Sequence, residues 1–181
     1  MSFPQEIGIR RAARTDAAAL RELATATFVA TFGPLYPPED LAAYLRTEQT
    51  VTTYRRLLRD PAVAIWLAVT TDGALVGFIT AGPCKLPVPQ REDKSGEIRQ
   101  LYLRATVQGK GLGSRLLDTA LDWLSARGHS PLYIGVWSEN FGAQRLYGRH
   151  GFEKIGEYDF PVGKTLDREF ILRRPLKGTG P

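Results

Sequence analysis

The chain has 181 residues, a mass of 20.1 kDa, 43% hydrophobic residues and 24% charged residues. This size and composition favour a compact soluble domain over a disordered or membrane protein. The net charge of +5 and the pI near 9.5 permit attraction to polyanions. Because the basic residues are scattered, we expect neither a nucleic acid nor a membrane as partner.

Targeting and metal-binding signals are absent from the sequence. No apolar run approaches the roughly 18 residues that a membrane span needs. The first six residues lack a basic region followed by an apolar core, so we expect a cytoplasmic location. The single cysteine, Cys84, leaves no intramolecular disulfide and no zinc site built from several cysteines. His129 and His150 lack ligand-like neighbours, and we expect no metal.

The first half of the chain predicts strand and helix in a mixed order. A short strand at 7–10 precedes a helix that Thr15 and Asp16 can cap and that ends near 32–33. Further helices are predicted from the prolines at 37 and 38 and over 51–59. Residues 63–70 and 74–81 flank an Asp-Gly turn and predict an antiparallel hairpin, followed by a proline-containing loop at 82–95.

The second half predicts a strand at 97–104, a helix from 114, a strand at 132–137, a short helix at 140–150 and a final hairpin of 152–160 with 165–172. Hairpins mixed with crossovers are typical of an α+β domain around one mixed sheet. We expect one domain over 1–176 and a frayed tail at 177–181.

A glycine-rich turn at 108–113 lies between a predicted strand and a predicted helix. Glycine lets the backbone approach an anion, and the free N–H groups and dipole of the helix favour negative charge. The turn therefore indicates a phosphate site, with an ordinary strand-to-helix turn as the alternative. It lacks the Gly-Lys-Ser/Thr ending of a Walker loop, since Lys110 lies inside it, and the strand at 132–136 has no acid for a dinucleotide ribose.

An ordered set of motifs extends around this turn. It consists of Glu97-Ile98 with Leu101-Tyr102-Leu103, Gln108-x-x-Gly111-x-Gly113, Asn140-x-x-Ala143-x-x-x-Tyr147 and Gly151-Phe152. Over essentially the whole chain, this set resembles the GNAT superfamily of acyl-CoA-dependent N-acyltransferases. The resemblance implies a mixed, mostly antiparallel sheet with helices on both faces and central strands that splay apart.

The resemblance also implies acetyl-CoA as co-substrate. In the family, the loop amides hold the CoA diphosphate and the preceding strand pairs with the pantetheine arm. The matching cofactor positions in this sequence are Leu101, Tyr102, Leu103, Gln108, Gly109, Lys110, Gly111, Leu112, Gly113, Ser114, Asn140, Ala143 and Tyr147.

Two residues match the family's catalytic positions. Acyl transfer needs a neutral amine, and Glu97 occupies the position of the base; its alternative role is a solvated strand-end residue. Tyr147 matches the tyrosine that protonates the departing sulfur, and its alternative role is packing. Asn140 can bind pantetheine or cap its helix. A backbone N–H near Leu103 is expected to contact the oxyanion.

The acceptor is expected to be a small-molecule amine. Residues 26–32, 38–45, 135–140 and 159–167 resemble the PaiA type of spermidine/spermine N-acetyltransferase, which implies a polyamine. Carboxylates that could meet its charges are Glu39, Asp40, Glu48, Glu157 and Asp159. Acetylation of a protein N-terminus, a lysine or another small amine remains open, as does a CoA-binding sensor without turnover. The chain is expected to be a monomer or a homodimer.

Overall fold

A computed structural model describes residues 6–175; the predicted tail at 177–181 lies outside this range. The strands are β1 (Ile7–Arg11), β2 (Ala64–Thr70), β3 (Leu75–Pro83), β4 (Gly96–Leu103), β5 (Leu132–Trp137), β6 (Glu153–Val162) and β7 (Thr165–Arg174). The helices are α1 (Ala17–Phe32), α2 (Pro38–Thr47), α3 (Val51–Arg59), α4 (Leu112–Ala126) and α5 (Phe141–Arg149).

The seven strands form one sheet in the order β1-β2-β3-β4-β5-β7-β6. Every neighbouring pair is antiparallel except β4 with β5. That parallel pair is short, because only residues 96–98 of β4 face residues 132–134 of β5. Beyond it the two strands diverge, and their facing backbone groups lie open to a ligand. The predicted mixed, mostly antiparallel sheet with splayed central strands is confirmed.

A bulge in β4 lies at the point where the strands diverge. The pairing with β3 shifts from Thr80 opposite Gln100 to Ala81 opposite Ile98, so Arg99 is the extra residue. A bulge bends a strand and redirects the side chains that follow it. The residues of β4 that carry the predicted chemistry, Glu97 and Leu101, therefore lie on either side of this bend.

Helices cover both faces of the sheet, as predicted. On one face α4 buries Leu116 and Leu117 against Ile98 of β4. On the other face α1 and α3 bury Leu20 and Tyr54 against neighbouring strands. Helices cover β2 and β3 on both sides. Their sequences are therefore nearly continuous apolar runs and do not alternate between apolar and polar residues.

The start of α2 is fastened to the turn of the β6–β7 hairpin. Asp40 is 7% exposed, and its carboxylate accepts hydrogen bonds from the Lys164 N–H (2.9 Å) and the Thr165 hydroxyl (2.7 Å). Gly163 has φ +61°, and a Cβ there would lie 2.5 Å from Asp40 Oδ1. The turn therefore needs glycine both for its backbone conformation and for this close contact.

Several element boundaries differ from the prediction by one or two residues; in the final hairpin, β6 continues to Val162 and β7 to Arg174. β3 continues to Pro83 and α4 begins at Leu112, two residues before the predicted start. Within residues 6–175, no helix is both long enough and apolar enough to cross a bilayer.

Candidate active site

The glycine-rich turn forms a preorganised helix start. Gly109 and Gly111 have φ of +73° and +78°, in the left-handed region that other residues avoid, and Gly111 is the residue before α4. The Gln108 side chain donates a hydrogen bond to the Leu103 carbonyl (3.0 Å), which ties the turn to the end of β4. The turn thus points the unpaired N–H groups at the start of α4 into the space beside β4.

The glycine-loop cleft lies in front of this turn and has a volume of about 540 Å³. Most of the predicted cofactor residues line it, namely Leu101, Tyr102, Leu103, Gln108, Gly109, Gly111, Gly113, Ser114, Asn140, Ala143 and Tyr147. Two exposed arginines of α5, Arg145 and Arg149, also line it and were not predicted. With the helix dipole, their charges suit a polyanionic ligand such as CoA.

Two of the predicted cofactor residues do not line this cleft. The Leu112 side chain is 3% exposed and belongs to the core beneath α4, so only its backbone could reach a ligand. The Lys110 side chain is exposed, and its ammonium donates to the Thr106 carbonyl (3.1 Å). Their cofactor roles stay predictions.

Helix α5 presents two polar groups where β4 and β5 diverge. The Asn140 Oδ1 atom accepts a hydrogen bond from the Ala143 N–H (3.1 Å), which confirms its predicted role as helix cap. Tyr147 is 6% exposed, and its hydroxyl has no hydrogen-bond partner in residues 6–175. Burial raises the pKa of Tyr147, and the charge of Glu169 raises it further. The phenol therefore stays protonated and can donate a proton or hydrogen bond to a ligand.

The aromatic cleft opens on the other side of the divergence and has a volume of about 400 Å³. Its aromatic walls include side chains of α1, α2, β5 and β6, namely Phe28, Phe32, Tyr44, Trp137, Tyr158 and Phe160. Tyr36, Tyr102 and Tyr147 line it as well. The Phe28 and Tyr44 rings stack at 4.7 Å, and the Phe32 and Trp137 rings meet edge to face at 5.7 Å. These contacts fix the shape of the cleft and leave apolar ring surfaces facing its interior.

Glu97 lies at the floor of the aromatic cleft. It is 7% exposed, and its carboxylate accepts a short hydrogen bond from the Lys85 N–H (2.6 Å). Burial raises the pKa of Glu97; the Lys85 hydrogen bond and the Arg99 charge oppose this effect only in part. A carboxylate with a raised pKa is a better proton acceptor than an exposed one.

Two acids of β7, Asp167 and Glu169, line the same cleft and were not among the predicted site residues. The Tyr36 hydroxyl donates to Asp167, and the Tyr158 hydroxyl donates to Glu169. Burial raises the pKa of Glu169, and the charges of Asp167 and Glu97 add to the rise. The available signal in the sequence was the spacing of the two acids, because residues two apart in a strand lie on the same face. Both acids are half-buried in β7, between exposed neighbours at 166 and 168.

The two clefts meet, because five residues line both of them: Leu101, Tyr102, Asn140, Ala143 and Tyr147. A ligand in the glycine-loop cleft and a second ligand in the aromatic cleft would therefore come into contact beside Tyr147. Such an arrangement is suited to direct transfer between two bound substrates.

The acids that the sequence predicted as cation contacts lie elsewhere. None of Glu39, Asp40, Glu48, Glu157 and Asp159 lines the aromatic cleft. Asp40 holds the β6–β7 turn, and Glu157 pairs with Lys154 at 2.5 Å.

Other candidate centres are inert. Cys84 is buried, and burial raises the pKa of its thiol, which disfavours the reactive thiolate. No group of three or more His, Cys, Asp or Glu side chains is placed to hold a metal within the part of the chain that the structure describes.

Comparison with known proteins agrees with this geometry. The profile of the GNAT acetyltransferase family matches residues 18–152. The chain belongs to this family. An uncharacterised N-acetyltransferase of Mycobacterium tuberculosis is 30% identical over 166 residues, which cover 90% of this chain and 99% of that protein. The protein is accordingly an acyl-CoA-dependent N-acetyltransferase with acetyl-CoA as co-substrate.

Two further similarities concern the subgroup. The spermine/spermidine N(1)-acetyltransferase of Bacillus subtilis is 32% identical over 101 residues, which cover 54% of this chain and 65% of that protein. The structure of PaiA N-acetyltransferase from Thermoplasma acidophilum in complex with coenzyme A superimposes with a TM-score of 0.73. It is 20% identical, with 94% of this chain and 99% of that chain covered, and it supports the same fold.

Proposed function

We propose that this N-acetyltransferase moves the acetyl group of acetyl-CoA to a primary amine of a linear polyamine such as spermidine or spermine. One observation carries the proposal: Glu97, Asp167 and Glu169 line the aromatic cleft, and none of them forms an ion pair within residues 6–175. Partly buried carboxylates are stable when a cation compensates them. A polycationic acceptor would supply that compensation.

The walls of the cleft favour the same class of acceptor. A polyamine alternates methylene segments with ammonium groups. The methylene segments would pack on ring faces such as those of Phe28 and Tyr44, and the ammonium groups gain from nearby rings and carboxylates. The named activity of the Bacillus subtilis relative supports this class.

Glu97 acts as the base in the proposed reaction. A primary alkyl amine is mostly protonated at neutral pH and must lose a proton before it attacks the thioester. The Glu97 carboxylate accepts that proton directly or through water. The amine nitrogen then forms a bond to the thioester carbonyl carbon, and a tetrahedral oxyanion results. Backbone N–H groups of β4 beyond the bulge, near Leu103, are the expected oxyanion contact.

Tyr147 acts as the acid in the second step. The bond between carbonyl carbon and sulfur breaks, and the hydroxyl proton of Tyr147 passes to the departing thiolate. The nitrogen gives up its second proton as the amide forms, and that proton returns through water to the Tyr147 oxygen. The position of Tyr147 on both clefts and its unpartnered hydroxyl support this role. A phenol with a raised pKa remains protonated at the start of each turnover.

The test is release of free thiol from acetyl-CoA by the purified protein with one amine at a time. Spermidine, spermine, an aminoglycoside and a lysine-containing peptide are compared at one pH and one ionic strength. Selective turnover of the polyamines supports the proposal. Comparable rates with unrelated amines would refute the acceptor class, and CoA binding without turnover of any amine would favour the sensor alternative.

A further inference from the structure

The two acids of β7 differ from Glu97 in how they are held. Asp167 and Glu169 are two residues apart on one face of the strand, which separates them by roughly 6.8 Å. Each gives one carboxylate oxygen to a tyrosine hydroxyl, Tyr36 or Tyr158, and the other oxygen has no partner in residues 6–175. Two oriented carboxylates therefore present an open oxygen to the aromatic cleft.

The cleft is ordered along one direction. Glu97 and Glu169 are close enough that the charge of Glu97 raises the pKa of Glu169. Along β7 the pairing continues from Glu169, opposite Trp137 of β5, to Asp167, opposite Phe160 near the hairpin turn. The three carboxylates thus follow one another as Glu97, Glu169 and Asp167, leading away from the floor of the cleft.

The cations of the cleft do not neutralise the β7 acids. Lys85 and Arg99 also line the cleft, but they lie beside Glu97, and their charges lower the pKa of that residue. Arg168 lies between the two acids in sequence and is exposed on the opposite face, where it is 3.5 Å from Glu157. Glu169 and Asp167 are therefore left for a ligand.

A separate feature points to a ligand in the same space. The Tyr147 side chain is 94% buried (6% exposed), lines the cleft and has a hydroxyl without a partner in the described chain. Gly135 of β5 lies against the Tyr158–Glu169 pair. A Cβ at this position would lie 2.8 Å from the Tyr158 hydroxyl and 3.0 Å from Glu169 Oε2. The absence of a side chain at 135 leaves room for this oriented pair.

We infer that Glu169 and Asp167 are the specificity-determining residues that hold the non-reacting ammonium groups of the acceptor. This inference rests on the proposed function. The reacting amine lies at Glu97, the next charged nitrogen at Glu169, and a third at Asp167 near the hairpin turn. The spacing of the two acids is comparable with that of nitrogens across a four-carbon linker. The acceptor is accordingly a linear amine with two or more charges beyond the reacting nitrogen, acetylated at a terminal nitrogen.

The first test uses wild-type protein with butylamine, 1,4-diaminobutane and spermidine. We expect kcat/KM to rise at each added ammonium, by roughly tenfold for the second nitrogen, as a hydrogen bond between charged groups gives. The rise should shrink as ionic strength increases. Equal kcat/KM for the three amines would overturn the inference while leaving the acetyltransferase activity intact.

The second test uses variants. We expect Glu169→Gln to lower the ratio of kcat/KM for spermidine over butylamine by roughly tenfold. Asp167→Asn should lower kcat/KM for spermidine relative to both other amines and leave the ratio for 1,4-diaminobutane over butylamine unchanged. Tyr158→Phe removes the hydroxyl that orients Glu169. It should lower the ratio for spermidine over butylamine by a smaller factor than Glu169→Gln does. Glu157→Gln makes the same chemical change outside the cleft and should keep all ratios. Ratios unchanged in Glu169→Gln would overturn the inference.

A binding measurement separates this inference from the proposed reaction. Spermidine is titrated calorimetrically into the CoA-saturated protein and into its Glu169→Gln variant. Weaker binding to the variant supports the subsite even if no amine is turned over, in which case the proposed function fails alone. Equal binding overturns the subsite, whatever the turnover assay shows.

Discussion

Replacing Gly111 by alanine tests whether the turn before α4 is held ready for the CoA diphosphate. Gly111 has φ +78°, and a Cβ added there would meet nothing within 4 Å. The substitution therefore introduces no clash with the protein, only a left-handed backbone at a residue that has a Cβ. That conformation costs an L-residue about 1–2 kcal/mol.

The free-energy cost of the left-handed alanine can lower the stability of the fold or weaken CoA binding. If the altered turn keeps its shape, stability falls, and Tm drops by about 2–4 °C for each kcal/mol in a chain of this size. If it relaxes in the free protein, CoA must restore the strained form, and the Kd for CoA rises by up to about tenfold for each 1.4 kcal/mol. We expect both effects, with a clear rise in Kd measured by calorimetry.

Gly128 offers a matched control for this experiment. It follows α4 at the far end, has φ +76°, and an added Cβ there would also meet nothing within 4 Å. Gly128→Ala should lower Tm to a similar extent and leave the Kd for CoA unchanged. The reasoning is refuted if Gly111→Ala binds CoA as tightly as the wild type, or if Gly128→Ala weakens CoA binding equally.

Three other variants have expected outcomes. Tyr147→Phe should lower kcat by about 10²-fold because it removes the proposed acid, while the calorimetric Kd for CoA stays near the wild-type value; an unchanged kcat removes Tyr147 from the mechanism. Glu97→Gln should flatten the low-pH limb of the kcat/KM profile, because that limb reports protonation of a base whose pKa burial has raised. The same variant should be more stable than the wild type at neutral pH, by about 2–4 °C of Tm for each kcal/mol relieved. The variant gains stability at neutral pH because the raised pKa of Glu97 favours the native state only while this carboxyl is protonated. That contribution to the free energy of unfolding is lost in the wild type as pH rises through the folded pKa. Melting curves at pH 4 and 7.5 check this, and a gain that is larger at pH 4 would contradict it. Asp40→Ala should lower Tm, because the Lys164 and Thr165 donors lose their acceptor. Hydrogen bonds at Asp40 hold its pKa low, so the wild type should lose this stability on acidification and the variant should not.

Features that depend on neighbouring residues could be predicted from the sequence. Helix α3 has the predicted bounds, Val51–Arg59, because Thr50 caps it by accepting a hydrogen bond from the Thr53 N–H at 3.0 Å. The turn before α4 was equally readable, since the left-handed conformations at 109 and 111 are ones that glycine adopts freely.

Local sequence patterns did not predict that Glu97 and Tyr147 lie at one site. The two residues are far apart in the sequence, and only the family resemblance brought them together. The structure places both on the aromatic cleft, with Tyr147 also on the glycine-loop cleft.

The positions of Asp167 and Glu169 in the aromatic cleft depend on long-range strand pairing and were not predicted. In the sheet, β7 lies between β5 and β6, which brings Asp167 and Glu169 beside β5. Hairpin patterns give the pairing of β6 with β7 but not which of the two strands pairs with β5. Asp40 was predicted as a cation contact, and the hydrogen bond that it accepts from the β6–β7 turn depends on the same long-range packing.

The most direct test of the account uses a single molecule that carries both substrates. Spermine joined through an acetyl linker to the sulfur of CoA would occupy the glycine-loop cleft and the aromatic cleft at once, because the two clefts meet beside Tyr147. Its Kd is compared by calorimetry with those of CoA and of a conjugate that carries an uncharged alkyl chain of equal length. We predict that the spermine conjugate binds at least about 10²-fold tighter than CoA and clearly tighter than the alkyl conjugate. A spermine conjugate that binds no better than CoA would contradict the account.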